Sequence, residues 1–206
     1  TTAFKVTFAT PKAYPITISL SDLDSTPPNL ALAVLNTSAN VYTKPTISST
    51  DIQGYYLVGE ARDFHVQVVN PATGGSFTSI YYNFEIADAV LADIASLVCD
   101  GQTIALSQSG TKLVGSTGPF PMPADQSWNT PCTVKFVTPK AYTFTVSMVD
   151  TTPDPDRTLQ TYSNTANVYT PPTLTSDDIV GPYLAGLPKD VHVTFDNPAT
   201  DPDRRK

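Results

Sequence analysis

The sequence predicts an all-β protein, a sandwich of packed sheets. Three observations predict it. First, apolar and polar residues alternate through most of the chain. Phe64, Val66 and Val68 alternate with His65 and Gln67, and Phe144, Val146 and Met148 with Thr145 and Ser147. A period of two marks strands buried on one face. Second, threonine is roughly one residue in seven, above ordinary usage, and there are 19 prolines. Thr, Val, Tyr and Phe fit a pleated surface, and Pro with Gly, Asn and Asp separates the runs. Third, the chain repeats itself at a domain-sized spacing.

The repeat is read from ordered matches. Thr10-Pro11-Lys12-Ala13-Tyr14 recurs as Thr138-Pro139-Lys140-Ala141-Tyr142, and Ala39-Asn40-Val41-Tyr42-Thr43 as Ala166-Asn167-Val168-Tyr169-Thr170. Asp51-Ile52-Gln53-Gly54 is echoed by Asp178-Ile179-Val180-Gly181, and Asn70-Pro71-Ala72-Thr73 by Asn197-Pro198-Ala199-Thr200. The offset is 128 at the first match and 127 afterwards. The single deletion falls near a Pro/Asp-rich stretch, where a loop tolerates it. A period of about 127 residues is the size of a domain, not of a solenoid repeat. Residues 44–170 then form one complete unit. Residues 1–43 are the last strands of a preceding unit, and residues 171–206 the first strands of a following one.

Within the complete unit, strands are expected near 45–48, 55–60, 63–70, 79–86, 97–99, 103–107, 112–115, 132–138, 142–150 and 158–169. Ile80, Tyr82, Phe84 and Ile86 supply one buried face. Residues 87–97 break the alternation: Val90, Leu91, Ile94 and Leu97 have helical spacing. They are read as a short helix, one per repeat; the alternative is an irregular loop leading into a strand to Cys99. Seven or more strands with Greek-key-length connections in about 125 residues argue for an immunoglobulin-like sandwich. Tyr142 begins a strand after a Pro-Lys-Ala turn, where such folds place a tyrosine that ties down a corner, and Tyr14 is its copy.

The composition also excludes classes of function. A net charge of -7 argues against nucleic-acid binding. No run of about 18 apolar residues exists to span a membrane. The chain lacks an initiator Met and a signal peptide, so it reads as a mature product or a fragment. Phosphate loops, HExxH and GxSxG are absent, and no catalytic constellation emerges, so the chain is not expected to be an enzyme.

The pattern Asp-Ile-x-Gly-x-Tyr-Leu-x-Gly, followed by Val-x-Val-x-Asn-Pro-Ala-Thr and later Thr-Pro-Lys-Ala-Tyr-Thr-Phe-Thr-Val-Ser-Met-Val-Asp, spans the whole chain. It resembles tandem immunoglobulin-like repeats of long bacterial cell-surface and extracellular proteins, the adhesin, stalk and S-layer-like chains. The resemblance implies an extracellular structural role.

Candidate sites are few. Cys99 and Cys132 are the only cysteines. In an extracellular sandwich two cysteines pair more often than not, and the alternative is two buried thiols. A bridge would stabilise by roughly 3–4 kcal/mol on the chain-entropy view. Asp150, Asp154 and Asp156 stand at spacings that can wrap calcium, the one cofactor considered; the competing reading is a solvated acidic turn stiffened by prolines. His65 and His192 share a repeat position and read as outward-facing strand residues, too far apart to share a metal. Tyr55, Tyr56, Tyr81, Tyr82 and Trp128 offer a sugar-stacking platform or, more readily, core packing, because adjacent strand residues face opposite ways. Asn36 opens an Asn-Thr-Ser sequon, a glycosylation candidate where the host can use it.

Two functional expectations follow. The preferred one is a structural repeat segment whose partners are neighbouring repeats or other copies. Its Pro-containing joins, at Thr43-Lys44-Pro45 and Thr170-Pro171-Pro172, are semi-rigid. The end segments leave unpaired edges. They are completed either within a longer chain, which is preferred, or head-to-tail between molecules, which propagates into a filament. The alternative is an adhesin or carbohydrate-binding module with a glycan partner.

Overall fold

The computed structural model describes residues 3, 5–22, 30–152, 156–176 and 180–198. In chain order the strands are β1 (Ala13–Asp22), β2 (Leu30–Asn40), β3 (Thr46–Ser48), β4 (Gly54–Leu57), β5 (Ala61–Asn70) and β6 (Phe77–Ala87). They continue with β7 (Ile94–Cys99), β8 (Gln102–Thr103), β9 (Ser107–Ser109), β10 (Lys112–Ser116) and β11 (Phe120–Met122). The last five are β12 (Gln126–Phe136), β13 (Ala141–Asp150), β14 (Arg157–Tyr169), β15 (Thr173–Thr175) and β16 (Thr194–Asp196).

Two sheets form the sandwich. One runs β3-β5-β12-β7-β8; the other runs β4-β14-β13-β6-β10-β9, with β11 also on β6. The pairing of β14 with β4 is parallel. The alternating residues behave as a half-buried pattern requires. Phe64, Val66 and Val68 of β5, Val134 and Phe136 of β12, Ile80 to Ile86 at every second position of β6, and Phe144, Val146 and Met148 of β13 fill one core. Phe64 and Phe144 meet edge to face, 5.5 Å between ring centroids, across the two sheets. That geometry suits the ring quadrupoles.

The expected helix is corrected. Residues 91–93 make a single 3-10 turn, and the chain then enters β7. The cause is local. The buried Asp93 carboxylate accepts the Val90 N–H at 3.0 Å and closes the turn, while Asp88 takes a left-handed φ of 53°. Val90 and Leu91 are exposed and only Ile94 and Leu97 of the helical set are buried, so no helical stripe exists to bury. Two elements also exceed expectation. β11 lies outside the expected strands, and β12 begins six residues before the expected 132. Pro131 does not stop β12, because the half before Cys132 pairs with β5 only. Proline is tolerated at such an edge.

Two small sheets flank the sandwich. β1 and β2 pair in the register of β13 and β14. Ala13 faces Asn40 and Ala141 faces Asn167, and the bulges between Leu20 and Ser21 and between Met148 and Val149 fall at matching positions. β15 and β16 pair as β3 and β5 do: Leu174 faces Phe195, and Ile47 faces Val68. Gly54 and Gly59 have φ of 146° and 82°, and Gly181 and Gly186 have 142° and 81°. These positive angles suit glycine at both places.

Candidate functional site

Cys99 of β7 lies opposite Cys132 of β12, and the two form a disulfide. Both are buried in the core. The bridge staples neighbouring strands at the point where β7 ends and the β7–β8 turn begins.

The Thr-Pro-Lys-Ala-Tyr motif makes a corner. Tyr142 donates its hydroxyl to the Thr138 carbonyl at 2.9 Å, and its ring stacks on Phe136 at 4.8 Å. Lys140 lies over that ring, 4.9 Å to the centroid, and reaches the Asp93 carboxylate at 2.7 Å and the Asp88 carbonyl at 2.6 Å. Burial pushes the Tyr142 hydroxyl pKa up, and the negative Asp93 adds to it. For Asp93 burial also raises the pKa. Hydrogen bonds from Lys140, Val90 N–H and Thr138, with the lysine charge, outweigh it and hold the carboxyl below its ordinary value. The N-terminal Thr-Pro-Lys-Ala-Tyr segment keeps the corner itself: Tyr14 donates to the Thr10 carbonyl at 3.0 Å, the Phe8 ring packs on it at a tilt, 4.6 Å between centroids, and Lys12 sits over the ring at 4.7 Å. Among the described residues Lys12 has no carboxylate partner.

The join to the sandwich is held in place. Thr43 N–H donates to the Thr73 carbonyl at 2.9 Å, and the two threonine hydroxyls meet at 2.8 Å. The loop carrying Thr73 is braced by Asn70, whose amide donates to Gly75 O at 2.9 Å and Pro123 O at 2.8 Å. A β-carbon on Gly74 would overlap Asn70 Oδ1 and come within 2.8 Å of the Pro71 carbonyl. The Asn-Pro-Ala-Thr motif thus receives the end of the preceding segment. Its counterpart Thr200 lies outside the described residues.

The acidic cluster is engaged by protein donors. Asp150 is buried; it accepts the Thr152 N–H at 3.0 Å and Arg157 at 2.9 Å. Burial raises its pKa, but the Thr152 and Arg157 hydrogen bonds and the arginine charge dominate and lower it. Asp156 accepts the Tyr81 hydroxyl at 3.3 Å. Asp154 lies outside the described residues. Among the described residues no three His, Cys, Asp or Glu side chains gather as a metal group. Asn36 is exposed on β2, where its side-chain oxygen accepts the Thr17 hydroxyl at 2.9 Å. His65 pairs with Asp51, Nδ1 to carboxylate 2.7 Å, while the other carboxylate oxygen takes the His65 N–H at 3.0 Å. From sequence alone His65 reads only as an outward-facing strand residue; the one signal of the partnership there is that both residues recur, as Asp178 and His192.

The aromatic set divides. Tyr56 and Tyr82 are buried, and burial raises the Tyr56 pKa to about 12. Tyr55 is exposed and packs on Tyr169 at 5.5 Å. Trp128 meets Phe120, which composition and spacing had not singled out, at 5.4 Å in the wall of a cleft of about 700 Å³.

Two further surfaces are exposed and apolar. Leu20 of β1 is 60% exposed, whereas Met148, at the matching register position of β13, is 0% exposed. Leu174 and Phe195 are 70% and 62% exposed where Ile47 and Val68 are 6% and 1%.

By class, the molecule is a disulfide-bridged β-sandwich with almost no helix. Among the described residues no helix is long and apolar enough to cross a membrane. No protein family and no curated protein sequence matches the chain. Solved structures align with part of the chain at low identity. AvmM, which catalyses macrocyclization in alchivemycin A biosynthesis, aligns with 61% of this chain and 88% of its own, at 10% identity and a TM-score of 0.47. A cohesin module from a family 33 glycoside hydrolase of Clostridium perfringens aligns with 62% of this chain and 97% of its own, at 14% identity and a TM-score of 0.37. Domains 4 and 5 of the S-layer protein SbsC align with 65% of this chain and 58% of theirs, at 17% identity and a TM-score of 0.31. Likeness at this level carries no argument about what the chain does.

Proposed function

We propose that the chain is a structural segment of an extracellular fibre, stalk or surface layer, built from tandem immunoglobulin-like Greek-key units of about 127 residues. Residues 44–170 are one complete unit; residues 1–43 end the preceding unit and residues 171–206 begin the next. One observation carries this reading. Positions that are buried in the central sandwich are exposed at the same repeat positions in the flanks, as Met148 and Leu20 or Val68 and Phe195 show. The flanks nonetheless keep the pairing register of the central strands. Such faces gain on the order of 25 cal/mol per Å² of apolar surface when covered, and a neighbouring repeat supplies the cover.

The held join at Thr43 and the Pro-containing connections favour a stiff chain of units. The disulfide favours an oxidising compartment. Completion by a second molecule, tail of one on head of the next, is a head-to-tail contact and extends into a filament.

A chimaeric chain tests the reading. Residues 80–170 of the same sequence are placed after residue 206, which completes a second unit. Amide exchange at Val191, Val193 and Phe195 should slow to the level of Phe64, Val66 and Val68. Unchanged exchange there overturns the proposal.

A further inference from the structure

We propose that the cleft beside the disulfide is a binding site for a neutral saccharide. It lies between β12 of one sheet and β6 and β11 of the other. Its volume, about 700 Å³, lies in the range of roughly 300–1,000 Å³ that small-ligand sites occupy.

The wall is a connected aromatic surface. Tyr82 is buried as its base, with its ring 5.0 Å from Phe120, which in turn meets Trp128. Phe120 and Trp128 remain partly exposed. Aromatic faces carry negative charge density, and the C–H face of a pyranose ring presents weakly positive hydrogens to them.

The polar groups are those a ring of hydroxyls needs. Asp100 and Gln102 line the cleft, and both are exposed. Among the described residues neither side chain is engaged by a hydrogen bond or ion pair. Asp51, Asp93 and Asp150 contrast with this, each being bonded to a donor. Asp100 is held in a left-handed conformation, φ 49°, and its N–H donates to the Pro131 carbonyl at 2.8 Å. The Pro131 carbonyl therefore points away from β5. By the alternation of a strand, the N–H and C=O groups of Ser127 and Asn129 point the same way. β7 does not extend alongside them, because its pairing with β12 starts at Cys132. These backbone groups face the cleft as further donors and acceptors.

The same features argue against other occupants. Among the described residues no Lys, Arg or His lines the cleft, so a phosphate, sulfate or uronate would meet the Asp100 charge without a counter-charge from them. An extended peptide would need a longer edge. Two free residues are short of a strand of about 5–6 residues, and Pro119, Pro121 and Pro131 in the walls lack N–H donors.

Trp128 is the only tryptophan, so its emission reports the cleft directly. The 206-residue chain is titrated with cello-, xylo-, manno-, malto- and chito-oligosaccharides up to about 10 mM, a span that covers the millimolar affinities of weak sites. At least one should shift or quench the emission saturably, and isothermal calorimetry should give the same constant. Asp100→Gly, which keeps the left-handed turn, should weaken that saccharide about ten-fold or more, the cost of a lost hydrogen bond to a charged group, and Gln102→Ala about three- to five-fold, that of a neutral one. Both residues are exposed, so folding should survive either change. The proposal is overturned if no saccharide in the panel moves the emission. It is equally overturned if binding is unchanged in both variants, or if an oligouronate or a proline-rich peptide binds in preference.

Discussion

Truncating one repeat position in two settings separates a covered face from an open one. Met148 on β13 and Leu20 on β1 hold matching register positions, and each loses three heavy atoms on conversion to alanine. Met148 is 0% exposed. At about 0.8 kcal/mol per buried methylene, with a cavity contribution added, Met148→Ala should cost about 3 kcal/mol. Leu20 is 60% exposed. It keeps under half of its surface from water and leaves no closed cavity, so Leu20→Ala should cost about 1 kcal/mol or less. Urea denaturation followed by Trp128 emission reads the central sandwich. With an m-value of roughly 1.5 kcal/mol per molar, Met148→Ala should lower the midpoint by about 2 M, and Leu20→Ala by a small fraction of that. The reasoning fails if the two substitutions cost the same, or if Met148→Ala costs less than about 1 kcal/mol.

Three other expectations follow from the geometry. Replacing both Cys99 and Cys132 with alanine should lower stability by at least about 3 kcal/mol, from the closed loop alone, measured by the same urea titration; a loss under about 1 kcal/mol would count against the bridge as a staple. Asp93 and Asp150 have lowered folded-state pKa values, so the unfolded chain takes up protons first. Stability should be flat above about pH 5 and fall as pH drops below the ordinary carboxylate range near 4; in Asp93→Asn, acid titration followed by circular dichroism should show a shallower fall, and an identical slope would contradict the assignment. Gly74→Ala should strain the loop that receives Thr43, costing about 1–3 kcal/mol, and hydrogen exchange at the Thr43 amide should quicken while that at Val66 stays slow.

Much of the sandwich is written in local pattern. A strand with one buried face shows its period directly, which is why 63–70, 79–86 and 142–150 were legible from Phe64, Ile80 or Val146 and their neighbours. The stretch around Val90 was not. Its apolar spacing fits a helix, but a single carboxylate, Asp93, decides the local turn by accepting Val90 N–H and Lys140. Lys140 is 47 residues away in sequence, and no local window contains both. The cleft has the same origin. Phe120, Trp128 and Asp100 come from three segments that only sheet pairing brings together, and Pro131 masked the strand that carries Trp128. The corner tyrosines were easier, because Tyr142 and the carbonyl it binds, on Thr138, are four residues apart.

The parallel ladder between β4 and β14 has a mechanical consequence. It joins one of the first strands of the sandwich to its last, Ala166 to Tyr169 beside Gly54 to Leu57. Tension applied through Thr43 and Thr170 first meets the Thr43–Thr73 contact and the β3–β5 pairing; once past these it draws β4 and β14 in opposite directions along their common axis. Hydrogen bonds that lie across the pull are loaded together and cannot be peeled one at a time. By this geometry the β4–β14 ladder shears as a block and does not unzip one bond at a time.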